Sequence, residues 1–243
     1  APTLWNGFVW DDDVNIGINP HLTLDRAGLW WMLTTPREIH PAWGGQWIPL
    51  SWLSLALDRH LWGFRALGYH LTNVLLHALS AGCLFLVARR LLRAACRSML
   101  EHALAFGAVA ATLAWSVHPL RVESVALVTE RRDVLAGVFL LGTVLAYLRA
   151  VEGPRRRAGA WALSLVCYAA ACASKSSVVV LPAVLLLLDG YPLGRLRSAW
   201  RRCLAEKVPY ALLAGGAAAL TLTALHTAGS LSGYSRVERV AMA

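Results

Sequence analysis

Three carboxylates stand side by side at Asp11-Asp12-Asp13, directly after Phe8-Val9-Trp10. The chain holds only 14 Asp and Glu in 243 residues, so a run of three concentrates a scarce charge. Adjacent like charges raise each other's pKa, which suits proton transfer. Asp11 or Asp12 is therefore a candidate general base. Asp11 and Asp13, at D-x-D spacing, are a pair that could hold a divalent cation. The plain alternative is a solvated acidic turn.

A second group lies between His118 and Asp133. This stretch carries three basic residues (Arg121, Arg131, Arg132) and three acids (Glu123, Glu130, Asp133). Arg131 and Arg132 could grip a phosphate, because a guanidinium matches phosphate oxygens as a fork. Equally, Glu130-Arg131-Arg132-Asp133 could close on itself as ion pairs. Lys175 is a lone cation between two apolar runs and reads as a phosphate ligand or as a snorkelling end-cap. His118, before Pro119, is a weaker candidate than the acids, and His70 and His77 read as packing or interfacial histidines. The chain has no P-loop, GxSxG or HExxH pattern, so those chemistries have no support.

The elements that must position these groups are membrane helices. Mean hydropathy is +0.51; 57% of residues are hydrophobic and 15% charged, too few charges to coat a water-soluble domain. Runs free of Asp, Glu, Lys and Arg cover 71–88, 102–120, 134–148, 158–174, 176–188 and 208–235. We read them as six spans of a polytopic all-α protein. The runs 134–148 and 176–188 are short for a bilayer, and the latter contains Pro182. Segments 89–101, 149–157 and 189–207 hold 13 of the 23 basic residues and four acids, so the whole net charge of +9 falls on one side of the membrane. The positive-inside rule makes that side cytoplasmic, including Arg155 and Arg156. Residues 1–70, 118–133, 174–175 and 226–243 are then extracytoplasmic. The pI near 9.9 is a topology signal under this reading and not a sign of nucleic acid.

Residues 1–70 form a long outer loop, and 71–243 the bundle. Eight of the 11 tryptophans lie in the loop, Trp43 among them, as interfacial anchors or as substrate contacts. A helix is expected from Thr23 to Thr35, capped by Thr23 and ended by Pro36. A second, 47–61, aligns Leu50, Leu53, Leu57 and Leu61 on one face. Both are expected to lie along the membrane surface. The five cysteines fall in spans or on the basic side and imply neither a disulfide framework nor a metal site. Lacking an initiator Met or a preceding span to export the loop, the chain reads as a fragment.

Four runs occur in order: FVWDDDVNIGINP (8–20), WIPLSWLSLALDRHLWGFRALGYHLTNVLLHAL (47–79), HPLRVESVALVTERRDVLAG (118–137) and ASKSSVVVLPAVLLLLDGYPLGR (173–195). Together they resemble the bacterial relatives of the transmembrane-and-tetratricopeptide protein O-mannosyltransferases, in the GT-C glycosyltransferase superfamily. The resemblance implies a GT-C-like transmembrane bundle with catalytic acid in the first outer loop. It implies a polyprenyl-phosphate-linked sugar as donor, mannose being expected, and Ser/Thr hydroxyls of extracytoplasmic proteins as acceptor. It maps the acid pair onto Asp11 and Asp12, the second outer-loop motif onto His118, Pro119, Glu123, Glu130, Arg131 and Asp133, and the third-loop Lys onto Lys175. Joined to the reading of the residues, it puts the donor phosphate near Arg131, Arg132 or Lys175. His118, Glu123, Glu130 and Asp133 support them from the second outer loop. Inverting transfer, no required cofactor (a divalent metal remaining an option) and a bacterial inner membrane with the active face outward complete the expectation. A missing first helix and missing C-terminal tetratricopeptide repeats also follow from the resemblance. Relatives often read W-x-P or H-P at the place where this chain has Trp47-Ile48-Pro49, and a His serving the sugar or acceptor there has no counterpart in Ile48. The competing classes are a transporter or lipid-linked-sugar flippase, and a non-enzymatic scaffold for the repeats.

Overall fold

The structure, a computed structural model, describes residues 2–34, 47–152 and 157–227. Pro36, Trp43, Arg155, Arg156, the last residue of the expected 23–35 helix and most of the expected outer tail fall outside the described residues. The described chain is all-α, 82% helical and without strands. A 3₁₀ turn (Pro2–Trp5) and a π-helical turn (Asp13–Gly17) lead into α1 (Arg26–Thr34). Next come α2 (Pro49–Trp62), α3 (Ala66–Ala95), α4 (Glu101–Ser116), α5 (Arg121–Ala126), α6 (Arg131–Val151) and α7 (Ala158–Ser174). A 3₁₀ turn (Ser176–Val180) precedes α8 (Leu181–Gly190), and α9 (Arg195–Thr227) follows, kinked at Ala199.

Among the described residues three helices are long and apolar enough to cross a membrane: α3, α6 and α9, the last counted to Ala224. Two shorter apolar helical stretches, Ala158–Ser174 and Ser176–Gly190, accompany them. The chain is an integral, polytopic membrane protein. Large apolar side chains such as Leu75, Leu79, Phe106, Val166, Leu187 and Leu212 point outward. That orientation suits a lipid solvent, which needs no polar coat.

The run 134–148 looked short, yet α6 has 21 residues, about 31 Å of rise. The added residues are 131–133 at its start and 149–151 at its end; at the start, Arg131 is fully buried because it is paired inside the protein. A paired charge can enter a span that an unpaired one could not. Pro182 sits in the first turn of α8, where its missing N–H costs no helical bond.

Among the described residues two cores hold the helices together. The bundle core gathers Tyr147, Tyr168 and Tyr210 with Leu181, Leu185 and Val144, where α6, α7, α8 and α9 meet. At its basic end the buried Asp189 carboxylate accepts from Tyr147 Oη (2.8 and 2.7 Å), Arg195 (2.6 Å) and Lys207. The outer core gathers Ile16, Leu22, Trp31, Met32, Trp52, Leu55 and Tyr69, and Trp31 meets Trp52 edge-on with centroids 5.5 Å apart.

Two expectations for the outer loop change. The cap of α1 is Asp25, not Thr23: its Oδ1 accepts from Gly28 N (2.7 Å) and from Thr23 Oγ1 (2.9 Å), so the helix starts later. These hydrogen bonds, that of Gly28 first, hold the Asp25 carboxyl below its ordinary range. The leucine stripe of α2 is real, but Leu53, Leu57 and Leu61 are exposed, and Ser51, Trp52, Leu55 and Asp58 face inward. The face that packs sets Ser51 and Asp58 among Trp52, Leu55 and Ala56. At the α2–α3 corner Gly63 takes φ 59°, and a Cβ on Gly68 would lie 2.2 Å from the Trp62 ring. Only glycine admits that ring.

Candidate active site

Several of the predicted site residues gather at one end of the bundle, through bonds between residues up to 123 positions apart. Asp12 is fully buried. Its carboxylate accepts from Thr129 N (2.8 Å), Thr129 Oγ1 (2.7 Å), Val9 N (3.3 Å) and Val128 N (3.4 Å). Trp10, at φ 53°, makes the turn that sends Asp12 inward, a backbone region that a bulky residue seldom adopts. The first outer segment is thus fastened to the second by one carboxylate. Charge-assisted bonds of this kind contribute roughly 1.5–3 kcal/mol each.

Arg131, a candidate for the donor phosphate or for an internal ion pair, is the internal tie of the outer end and has no free nitrogen for a phosphate. Its Nη2 donates to Asp58 (2.6 Å) and to Tyr69 O (3.0 Å), its Nη1 to Ser54 (2.9 Å) and its Nε to Asn73. Every nitrogen of the guanidinium is engaged and none reaches solvent. Asn73 in turn donates to Leu127 O (3.1 Å), and Thr72 donates to Asp58 (2.9 Å). The network joins α2, α3, α6 and the segment that holds Asp12. Asp58 and Asn73 escaped the sequence reading, although Ser51, Ser54 and Asp58 form a polar stripe at helical spacing along α2. His70, beside Tyr69, is fully buried, and neither ring nitrogen has a partner among the described residues.

The accessible charges stand around this tie. Arg132 pairs with Glu130, and the carboxylates of Asp133 and Asp11 also act on it. Lys175 pairs with Asp133, which also accepts from Ser124 Oγ (3.1 Å). Ser51 Oγ donates to Ser174 O (2.9 Å) and seats the Lys175 turn against α2. Lys175 and Arg132 keep about a third and a quarter of their side chains exposed, respectively. Asp11 is exposed, and among the described residues no hydrogen bond occupies its carboxylate.

The remaining candidates are placed differently. Asp13 is exposed in the π-turn, two positions from Asp11 on a helical backbone. Side chains at that spacing point to different sides, so an ion shared by Asp11 and Asp13 does not fit here. Among the described residues no group of three His, Cys, Asp or Glu side chains could hold a metal ion. His118 is exposed, and its Nδ1 accepts from Leu120 N (3.2 Å). It lines a cleft of about 190 Å³ with His77 and Arg121, to which Lys175 does not contribute. Glu123 is exposed without an ion pair among the described residues.

Beside the charged cluster lies an apolar groove of about 500 Å³, walled by Leu29 and Leu33 of α1, Leu50 and Leu53 of α2, and Ala169 and Ala173 of α7. The small side chains of α7 open it, and it ends two residues short of Lys175. A charged end and an apolar channel side by side suit an amphiphile with an anionic head.

Residues 46–226 match the family model described as dolichyl-phosphate-mannose-protein mannosyltransferase. The chain is 36% identical over 155 residues to protein O-mannosyl-transferase Tmtc1 of Drosophila melanogaster, covering 60% of this chain and 16% of that protein. It is 31% identical over 201 residues to Tmtc2 of the same organism, covering 77% and 20%. With human TMTC3 the identity is 29% over 159 residues, covering 63% and 16%. The chain thus spans about a fifth of the length of these relatives. No solved structure matches it. On the family match, which runs through α2, the Arg131 network and the Lys175 turn, this chain belongs to the dolichyl-phosphate-mannose-protein mannosyltransferase family.

Proposed function

We propose that this chain is the membrane part of a protein O-mannosyltransferase. It moves mannose from a polyprenyl-phosphate donor to Ser/Thr hydroxyls of extracytoplasmic proteins. The observation that carries this reading is an accessible acid, Asp11, that acts on the partly exposed Arg132, together with a partly exposed Lys175 two residues beyond Ala173 in the wall of an apolar groove. The family match and the names of the relatives support it.

In this mechanism the donor chain lies in the groove and its phosphate meets Lys175 and Arg132. Those cations stabilise the charge that develops on the leaving phosphate. Glu130 and Asp133 hold them in place until the phosphate arrives. Asp11 takes the proton from the acceptor hydroxyl as its oxygen attacks the anomeric carbon. The C–O bond to the phosphate breaks, its electrons stay on the phosphate, and the anomeric configuration inverts. Asp12 does not touch the reacting atoms; it positions Asp11 by anchoring the turn to Thr129. The outer face points to the periplasm or exterior, because the arginine-rich end is the cytoplasmic one.

The donor assignment is tested with the full-length protein in detergent, given polyprenyl-phosphate mannose or a nucleotide-linked mannose and an acceptor peptide. Transfer from the lipid donor alone is expected. Ala170→Phe, which fills the groove, should raise the KM for lipid donor while leaving the acceptor KM unchanged. Equal use of the nucleotide donor, or an unaltered donor KM, would overturn it. The transporter reading is weaker here because the exposed charges sit at the bundle end and not along a path through it.

A further inference from the structure

The opposite end of the bundle carries a cleft that the transfer reaction does not use. It opens where the last turns of α3, the C-terminus of α6 and the α8–α9 turn meet, with a volume of about 320 Å³. Arg90 and Arg93 of α3 form one side, Ala94, Leu148 and Leu193 the apolar remainder, and Glu152 the rim. We propose that this cleft binds the headgroup of an anionic phospholipid, with its phosphate between Arg90 and Arg93 and its glycerol and upper acyl chains against Leu148 and Leu193.

Charge favours an anion. Among the described residues this end carries eleven basic side chains against four carboxylates, Glu101, Glu152, Asp189 and Glu206. All four carboxylates are already paired. Asp189 and Glu206 are spent within the α8–α9 junction and offer nothing to the cleft. Glu101 is shared by Arg93 (2.6 Å) and Arg89 (3.3 Å). Glu152 places both oxygens on Arg90 Nη1 (3.0 and 3.1 Å), leaving Nη2 and Nε of that guanidinium for a phosphate. Three arginines against two carboxylates leave one positive charge locally, with Arg97 and Arg149 adding to the field nearby.

Geometry favours a lipid over a free ion. A phosphate alone needs no apolar wall, whereas a phospholipid presents an anionic group directly above hydrocarbon. The cleft has the same order along the helix axes: arginines at the boundary, Leu148 one turn deeper on α6. Arg90 and Arg93 lie three residues apart, on one helix face. Basic clefts between helices at the membrane boundary suit anionic headgroups.

The test uses the full-length protein in detergent, with dioleoyl phosphatidylglycerol, dioleoyl phosphatidylcholine or inorganic phosphate as the probe. Retention is read by native mass spectrometry and binding by thermal shift. Phosphatidylglycerol should be retained and raise Tm, while phosphatidylcholine and inorganic phosphate should do neither. Each arginine removed should weaken retention about five-fold, so R90Q/R93Q should nearly abolish it. R197Q/R201Q, equally basic but outside the cleft, should retain the lipid. E152Q should strengthen retention two-fold or more, because it removes the competing carboxylate; a purely structural ion pair predicts no gain. That arm also decides the matter if R90Q/R93Q does not fold. Equal stabilisation by inorganic phosphate would reduce the site to an ion site. Equal loss in R197Q/R201Q would reduce it to diffuse charge, and unchanged retention in R90Q/R93Q or no gain in E152Q would overturn it.

Discussion

Asp11 and Asp12 are neighbours with different fates, and the difference lies in their partners. Asp12 is held by Thr129, 117 residues away, and no reading of the triplet alone could distinguish it from Asp11 or Asp13. Thr129→Ala removes the 2.7 Å hydroxyl bond and should cost about 1–2 kcal/mol. D12N and T129A together should cost less than the sum of the singles, because both break one anchor; Tm measurements on the four proteins of the cycle check this. Arg131 poses the same problem. Its charge was visible in the sequence, but its partner Asp58 lies 73 residues upstream, so a buried tie and a phosphate ligand looked alike. Removing one member of a buried pair strands the other, at a cost of about 3–5 kcal/mol. D58N and R131M should therefore lower Tm far more than R132M, whose side chain sits at the edge. A similar Tm loss in R132M would contradict this assignment.

At the scale of elements, the helices were legible because uncharged runs are local signals. Their ends were less so, since pairing decides them: α6 starts at the buried, paired Arg131, ahead of its uncharged run, and α1 lost its start to the Asp25 cap. The leucine stripe of α2 was legible as a stripe, but its direction depended on whether the solvent was water or lipid. The α2–α3 corner depends on Gly68 admitting Trp62. Gly68→Ala should destabilise the protein and disturb the Arg131 network, and Trp62→Ala in the same chain should restore much of the loss. Without that rescue, the contact is not what limits the site.

The cap of α1 gives a pH expectation. The folded-state pKa of Asp25 is depressed, so its contribution is full above the ordinary carboxylate pKa and is lost as pH falls through the lower folded value. Hydrogen exchange at the start of α1, corrected for intrinsic rates, should be level from neutral pH to about 5 and rise only below the usual carboxylate range. D25A should remove the protection at every pH.

For the whole molecule, the division of charge was fully legible in the sequence: balanced at one end, arginine-rich at the other. The structure adds that the two ends are built differently. One holds accessible Asp11, Arg132 and Lys175 over a long-range tie; the other locks its acids in ion pairs. Cysteines placed at Glu123 and at Arg97 should therefore label from opposite sides of a sealed membrane, with Glu123 outside. Labelling of both from one side would refute the topology.

The central claim is that Asp11 is the base and Asp12 its anchor. Its most direct test is the rate of mannose transfer by purified full-length protein with lipid-linked donor and a Ser/Thr peptide, comparing D11N, D12N and D13N alongside their Tm values. D11N should lose about 10²–10⁴-fold in rate at unchanged Tm. D12N should lose rate and Tm together, and D13N should keep both. Full transfer by D11N would contradict the account, as would a D12N protein inactive at unaltered Tm.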